Sequence, residues 1–186
     1  MIGQEKRPPY SYFIHRHNFA VWAAARASQR GFAPTALIKR ALEVGQLPGA
    51  VRNDADWPTD EKIFDTFHRQ HCRQLMKGLE DAGLQPVTYG RVAKMVAIYL
   101  KSMVVLGPLG SESFARLIHP PIDRILLQSI ARDKCLPTEV RQACSGVNWT
   151  ELSEEGYFRL IAGFRRHCLD KPAFWMLERY WNIAAE

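Results

Sequence analysis

A lysine and an aspartate stand at positions where their chemistry could be used. Lys94 lies near the start of the apolar segment 89–106, and Asp123 follows Pro120 and Pro121 at the head of the segment 123–132. An uncharged lysine amine is a nucleophile that can attack a carbonyl-like or anomeric carbon and form a Schiff base. A fixed carboxylate can stabilise positive charge on a sugar ring or position a water molecule. The two residues are therefore candidates for a catalytic pair.

Both residues need helices to hold them in place. Apolar spacing predicts a central helix that begins at Thr88 or Gly90 and spans the rest of the apolar segment. The partial positive charge at a helix start, together with Arg91, disfavours a second positive charge and would favour the neutral amine of Lys94. Asp123 is expected to cap the next helix, behind a backbone stiffened by two prolines. A solvated helix-start lysine and an aspartate that only caps are the alternative interpretation.

The two segments together resemble a known superfamily. Residues 94–105, KMVAIYLKSMVV, are similar to the lysine helix of the outlying helix-hairpin-helix DNA glycosylases, including the archaeal 8-oxoguanine glycosylases. Residues 118–127, IHPPIDRILL, are similar to the aspartate-bearing segment of the same proteins, and the order of the two segments agrees. The resemblance covers about residues 84–134 and implies an all-α, two-lobed fold.

The resemblance also implies a mechanism. In that superfamily the lysine attacks C1′ of a damaged nucleotide whose base is flipped out of the stack, and the aspartate supports departure of the base. Carried over, Lys94 is the nucleophile and Asp123 the assisting acid, with Arg91 or Lys101 near the phosphates. The implied function is that of a base excision repair enzyme, a DNA glycosylase and abasic-site lyase. A second register stays open, in which Gly90 ends the hairpin and Arg91, which cannot form a Schiff base, takes the lysine position.

Two features of the superfamily are missing from this sequence. Its Leu-Pro-Gly-Val-Gly hairpin is replaced by residues 84–90, LQPVTYG, and the cysteine spacing of the iron–sulfur branch is absent. No cofactor is therefore expected. The four cysteines, Cys72, Cys135, Cys144 and Cys168, are predicted to be free or buried thiols.

Charge and aromatic residues suggest a DNA-facing surface. The net charge is +6 and the pI about 9.3, which favours a polyanionic partner. Arg91, Lys101 and Arg124 are predicted to contact phosphates. His119, close to Asp123, is the histidine expected to contact substrate, and Trp57 is a candidate base-stacking wedge if it is exposed.

Two other classes of function fit parts of the sequence. The first is a non-catalytic helical module that binds nucleic acid or a partner protein through the basic surface. The second is a metal-dependent hydrolase built on His68, His71 and His15. Because no HExxH or CxxC motif accompanies these histidines or their neighbours His17 and Cys72, no metal is expected.

The whole chain is predicted to be all-α, a single domain over 1–186 with possible lobes at 19–106 and 111–186 that share a cleft. The N-terminus shows no secretory signal, and the apolar run 95–109 is too short to span a bilayer and is broken by Lys101. A cytoplasmic protein without a membrane partner is therefore expected. Helices are predicted over 19–29, from 34 or 35 to 44, 59–83, 88–106, 111–119, 123–132, 137–144, 148–169 and 172–182, with a polar loop at 46–58.

Overall fold

The computed structural model describes residues 9–28, 31–107, 113–167 and 172–181. Within these ranges every regular element is a helix, which confirms the all-α class. The α-helices are α1 (Tyr12–Ala27), α2 (Thr35–Val44), α3 (Leu47–Arg52), α4 (Glu61–Asp81), α5 (Tyr89–Leu100), α6 (Ser113–Leu117), α7 (Arg124–Arg132), α8 (Thr138–Cys144) and α9 (Glu154–His167). Single 3₁₀ segments lie at Asp54–Asp56, Trp149–Glu151 and Phe174–Tyr180, and a π-helical segment, Lys101–Val105, continues α5.

Helix α5 is the centre of the fold. It packs against α1, α4, α9 and the 3₁₀ segment Trp149–Glu151. A helix that is covered on most sides must be apolar on most sides, which accounts for the composition of this segment. Its buried residues are Tyr89, Gly90, Val92, Ala93, Met95, Val96, Ala97, Tyr99 and Leu100. The buried side chains form one hydrophobic cluster that runs from Ala20 to Leu177, while the division into two lobes stays a prediction.

Most of the predicted helices are confirmed within a few residues, and five predictions are wrong in part. Helix α1 begins at Tyr12 rather than at Phe19, because Ser11 caps it by accepting a hydrogen bond from the backbone N–H of Ile14 at 3.2 Å. The predicted loop at 46–58 contains α3 and a 3₁₀ turn. Helix α4 begins at Glu61 rather than at residue 59, because the Asp60 carboxylate caps it by accepting the N–H of Ile63 at 2.8 Å.

The two helices predicted near the C-terminus differ from the structure in the same way, since 3₁₀ segments replace part or all of each. The helix predicted from residue 148 is divided into the 3₁₀ segment Trp149–Glu151 and α9, with Leu152 and Ser153 between them. The helix predicted after Pro172 is the 3₁₀ segment Phe174–Tyr180. Both regions form tight turns next to α5 or α7, where long-range packing decides the local geometry. Residues 168–171 and 182, which fall in these predictions, and Cys168 lie outside the described residues.

Candidate functional site

Lys94 and Asp123 lie side by side. They are 29 positions apart in the sequence, and the Lys94 Nζ is 3.2 Å from Asp123 Oδ2. Only 11% of the Lys94 side chain and 10% of the Asp123 side chain are exposed. Taking two charges this far out of water costs free energy, so the ion pair needs further hydrogen bonds to be held there.

Asp123 has those hydrogen bonds on both carboxylate oxygens. It is the N-cap of α7, and its Oδ1 accepts the backbone N–H of Leu126 at 2.9 Å. Its Oδ2 accepts the indole N–H of Trp181 at 3.0 Å in addition to the contact with Lys94. The predicted cap is therefore confirmed, and the carboxylate is fixed from three directions.

Lys94 is held by an aromatic ring. Its Nζ lies 4.5 Å from the centroid of the Trp149 ring, within the range of a cation–π interaction. Lys94 lies in the second turn of α5, which begins at Tyr89. Because the field of a helix end falls off within one turn, Asp123 and Trp149 dominate its surroundings.

Gly90 lets the Trp149 turn approach α5. A Cβ atom at Gly90 would lie 2.0 Å from the Trp149 carbonyl oxygen and 3.0 Å from the Leu152 side chain. The backbone N–H of Gly90 donates to the Leu152 carbonyl at 2.9 Å, which fastens the turn to the helix. Gly90 is thus a close-approach glycine that sets the position of the ring beneath Lys94.

The ion pair lines a cavity of about 350 Å³. Lys101 and Glu178 form a second ion pair in the same wall. Burial raises the pKa of Glu178, against the effect of its hydrogen bond with Lys101. The full lining consists of Trp22, Ala23, Arg26, Ala27, Lys94, Ile98, Lys101, Pro121, Asp123, Glu178 and Trp181.

The three basic residues that are predicted to contact phosphates lie in different surroundings. Lys101 is in the cavity wall, as described above. The guanidinium of Arg91 lies 5.0 Å from the centroid of the Phe32 ring and is not among the described residues that line the cavity. Arg124 is exposed at the first position of α7, directly after Asp123. The structure therefore brings Lys94, and not Arg91, to the aspartate.

His119 lies in the core and not in the cavity wall. Its side chain has no exposed surface, and its Nε2 is 3.1 Å from Asp65 Oδ1. Its Nδ1 is 3.1 Å from the Tyr157 hydroxyl, and its Nε2 is also 3.1 Å from the Arg165 guanidinium. Burial lowers the pKa of His119 to about 4. The expected contact with substrate does not fit this location.

Trp57 is not exposed, which was the condition for its use as a base-stacking wedge. It is partly buried, and its ring centroid lies 5.2 Å from that of Phe114 in the core. Its indole N–H donates to the Val51 carbonyl at 3.2 Å. The ring therefore belongs to the packing under α3.

The histidines of the metal hypothesis have other partners. His68 lies 3.2 Å from the Tyr89 hydroxyl, and His71 lies 3.1 Å from the Gly45 carbonyl. In the part of the chain that the structure describes, no group of three or more His, Cys, Asp or Glu residues could hold a metal ion. A metal-dependent hydrolase built on these histidines therefore has no geometric basis there.

Three cavity residues were missed in the sequence. Trp22 and Trp181 have the helical spacing that is typical of core residues, yet they are 50% and 39% exposed. No pattern in the sequence indicated that Glu178 would lie in a site. Exposure of Trp22 could have been inferred from the alanines that surround it in α1, because a helix face made of small residues can pack closely on α5 and leaves the large ring outside.

Comparisons of the chain with protein-family models, with curated proteins and with solved structures found no match. The glycosylase resemblance therefore stays a prediction. Among the described residues, no helix has the length and apolar character needed to cross a membrane.

Proposed function

We propose that the protein is a DNA glycosylase and abasic-site lyase that acts on a damaged or modified base through Lys94. The observation that carries this proposal is the contact of 3.2 Å between Lys94 and Asp123 in the wall of a cavity. The two residues come from different helices and match the lysine and aspartate of the superfamily that the sequence resembles. A cavity of this size lies within the range of small-molecule sites.

Asp123 has two roles in the proposed reaction. Its carboxylate takes the proton of the Lys94 ammonium and passes it to the departing base, and the carboxylate, ionised again, faces the positive charge that develops on the sugar ring. The freed amine then forms a bond to C1′. The bond from C1′ to the base breaks, and its electron pair leaves with the base, which takes up a proton.

The adduct then opens to a Schiff base between Lys94 and C1′. This intermediate allows abstraction of a proton from C2′ and loss of the 3′ phosphate, which is the lyase step. Borohydride reduces the same intermediate by adding hydride to C1′, and the product is a stable secondary amine that joins protein and DNA. Trapping therefore reports on the proposed nucleophile directly.

The test uses duplexes that carry uracil, 8-oxoguanine or an abasic site, incubated with the protein and borohydride. A crosslinked band is expected with the wild type and with Arg91→Gln, and no band is expected with Lys94→Gln. Lys101→Gln is the matched control, because it removes a second lysine from the same cavity wall.

Two results would change the assignment. A band that is lost in Arg91→Gln or Lys101→Gln but kept in Lys94→Gln would move the nucleophile to another residue. Salt-sensitive binding of the duplexes without a band for any of them would contradict the Schiff-base mechanism and favour a non-catalytic nucleic-acid-binding module.

A further inference from the structure

Helix α1 and the residues before it carry large side chains on a solvent-facing surface, here called the aromatic face. Its aromatic members are Tyr10, Tyr12, Phe19 and Trp22, which are 68%, 67%, 53% and 50% exposed. Exposed positions His15 and Arg26 complete it. In α1 these residues recur every three or four positions, so that they follow one side of the helix. Exposed large apolar side chains that form a continuous patch mark an interaction site.

The rings of the aromatic face alternate with cations. The Phe19 and Trp22 rings lie 5.9 Å apart and are tilted by 35°. The Arg26 guanidinium is 5.8 Å from the centroid of the Trp22 ring, and the Arg16 guanidinium is 5.6 Å from that of Tyr12. Flat rings with guanidinium groups beside them provide both a stacking surface and phosphate donors.

The charge of this surface has one sign. Helix α1 contains Arg16 and Arg26 and no aspartate or glutamate. Among the described residues, Glu43 pairs with His17 on the buried side of the helix, while Asp123 and Glu178, which share the cavity wall with Trp22 and Arg26, are paired with Lys94 and Lys101. A surface of rings and arginines whose neighbouring acids are already paired with lysines fits a polyanion with exposed bases better than it fits an apolar protein surface.

The aromatic face continues into the cavity. Trp22 and Arg26 line the cavity together with Lys94 and Asp123. A strand that lies along α1 would therefore reach the cavity at Trp22 and Arg26.

We propose that the aromatic face binds unpaired nucleotides of a DNA strand. Bases stack on Phe19 and Trp22, and Arg26 contacts a phosphate at the entrance of the cavity. Stacking suits every base, because each has a π-face, so binding along α1 carries little sequence preference. This proposal concerns binding only and does not require any covalent step at Lys94.

The test measures fluorescence anisotropy of three labelled probes. They are a short single-stranded oligonucleotide, a blunt duplex of the same sequence, and an oligonucleotide of the same length whose bases are replaced by hydrogen. The variants are Phe19→Ala and Arg26→Gln. Their matched controls are Ile63→Ala, which removes another half-exposed apolar side chain, and Arg159→Gln, which removes another exposed arginine.

The wild type is expected to bind the single strand more tightly than the duplex or the base-free probe. Phe19→Ala is expected to weaken single-strand binding by about tenfold and to leave base-free binding unchanged. Arg26→Gln is expected to weaken both and to lower the salt slope by about one. Ile63→Ala and Arg159→Gln are expected to bind as the wild type does.

Any of three outcomes would overturn the proposal. These are equal affinity for the single strand and the base-free probe, unchanged binding in both Phe19→Ala and Arg26→Gln, or no binding of the single strand. Because Phe19 and Arg26 are exposed, both variants are expected to fold as the wild type does, and their thermal unfolding midpoints check this. Repeating the titrations with Lys94→Arg separates this proposal from the proposed function. Lys94→Arg is expected to bind the single strand even though it cannot form the crosslink, and the wild type is expected to bind it even if the crosslinking test fails.

Discussion

Trp181 donates its indole N–H to the Asp123 Oδ2 at 3.0 Å, the same oxygen that Lys94 approaches to 3.2 Å. The tryptophan therefore competes with Lys94 for one acceptor and also keeps the carboxylate turned toward the lysine. Trp181 follows the 3₁₀ segment Phe174–Tyr180, so this segment takes part in the site although it is far from α5 and α7 in the sequence.

Replacing Trp181 with phenylalanine is expected to slow crosslinking by about tenfold or more. The change removes one hydrogen bond to a charged group while it keeps most of the ring, and such bonds contribute about 1.5–3 kcal/mol. Trp175→Phe is the control, because the Trp175 indole N–H has no hydrogen-bond partner among the described residues. The rate of adduct formation measures the effect. Equal rates for the two variants would contradict a positioning role for Trp181.

The Lys94 and Asp123 pair is expected to show strong coupling in a double-mutant cycle. Urea unfolding of Lys94→Met, Asp123→Asn and the double variant is expected to give a coupling free energy of about 1–3 kcal/mol, since both side chains are nearly buried. The exposed pair Lys77 and Asp81 is the control, and its cycle is expected to give a much smaller coupling. Similar couplings for the two pairs would show that Lys94 and Asp123 do not interact as a buried pair.

Gly90→Ala is expected to destabilise the protein by about 1–3 kcal/mol and to reduce crosslinking. The new Cβ would meet the Trp149 carbonyl at 2.0 Å, so the turn that carries the ring beneath Lys94 must move. Gly163→Ala in α9 is the matched control. No atom lies within 4 Å of a Cβ there, so this variant is expected to be more stable than the wild type by up to about 1 kcal/mol. A stable and fully active Gly90→Ala would refute the close approach.

Stability is expected to fall as the pH is lowered from about 6.5 to about 4 because of His119. Burial lowers its pKa to about 4 from an ordinary value of 6.5, so in this window the unfolded chain binds a proton that the folded chain excludes. At about pH 5 this amounts to roughly 2 kcal/mol for His119 alone. The pKa values of His17, His68 and His71 are also lowered, mainly by burial, and these residues add to the dependence of stability on pH.

The measurement is the urea midpoint at about pH 7 and about pH 5. His119→Gln cannot titrate, and its midpoint is expected to change less between the two pH values than that of the wild type. Hydrogen bonds from His119 and Arg165 keep the pKa of Asp65 below its ordinary range despite burial, so that group titrates below this window. An unchanged pH dependence in His119→Gln would contradict the assignment.

Local patterns predicted most of the helices and one half of the site. Asp123 behind two prolines could be assigned to an N-cap because capping depends on neighbouring residues alone. Lys94 could be placed on the central helix from its apolar neighbours. Their contact followed only from the resemblance, since nothing in the spacing of two helices fixes which faces meet.

The errors came from tertiary packing. His119 is close to Asp123 in sequence, but its side chain lies between Asp65, Tyr157 and Arg165 in the core. Trp181 and Trp22 have the spacing of buried residues and yet line a cavity. The Trp149 turn depends on Gly90, which is distant in sequence, so a helix prediction based on local periodicity could not find it.

The most direct test of the central claim is the location of the adduct within the chain. After borohydride trapping on an abasic duplex and nuclease treatment, trypsin digestion and mass spectrometry identify the modified residue. The remnant of the sugar is expected on Lys94, within an uncleaved peptide that runs from Val92 to Lys101. Lys94→Arg, which keeps the positive charge beside Asp123, is expected to give no adduct. An adduct on Lys101 or on another amine, or an adduct that persists in Lys94→Arg, would contradict the assignment of Lys94 as the nucleophile.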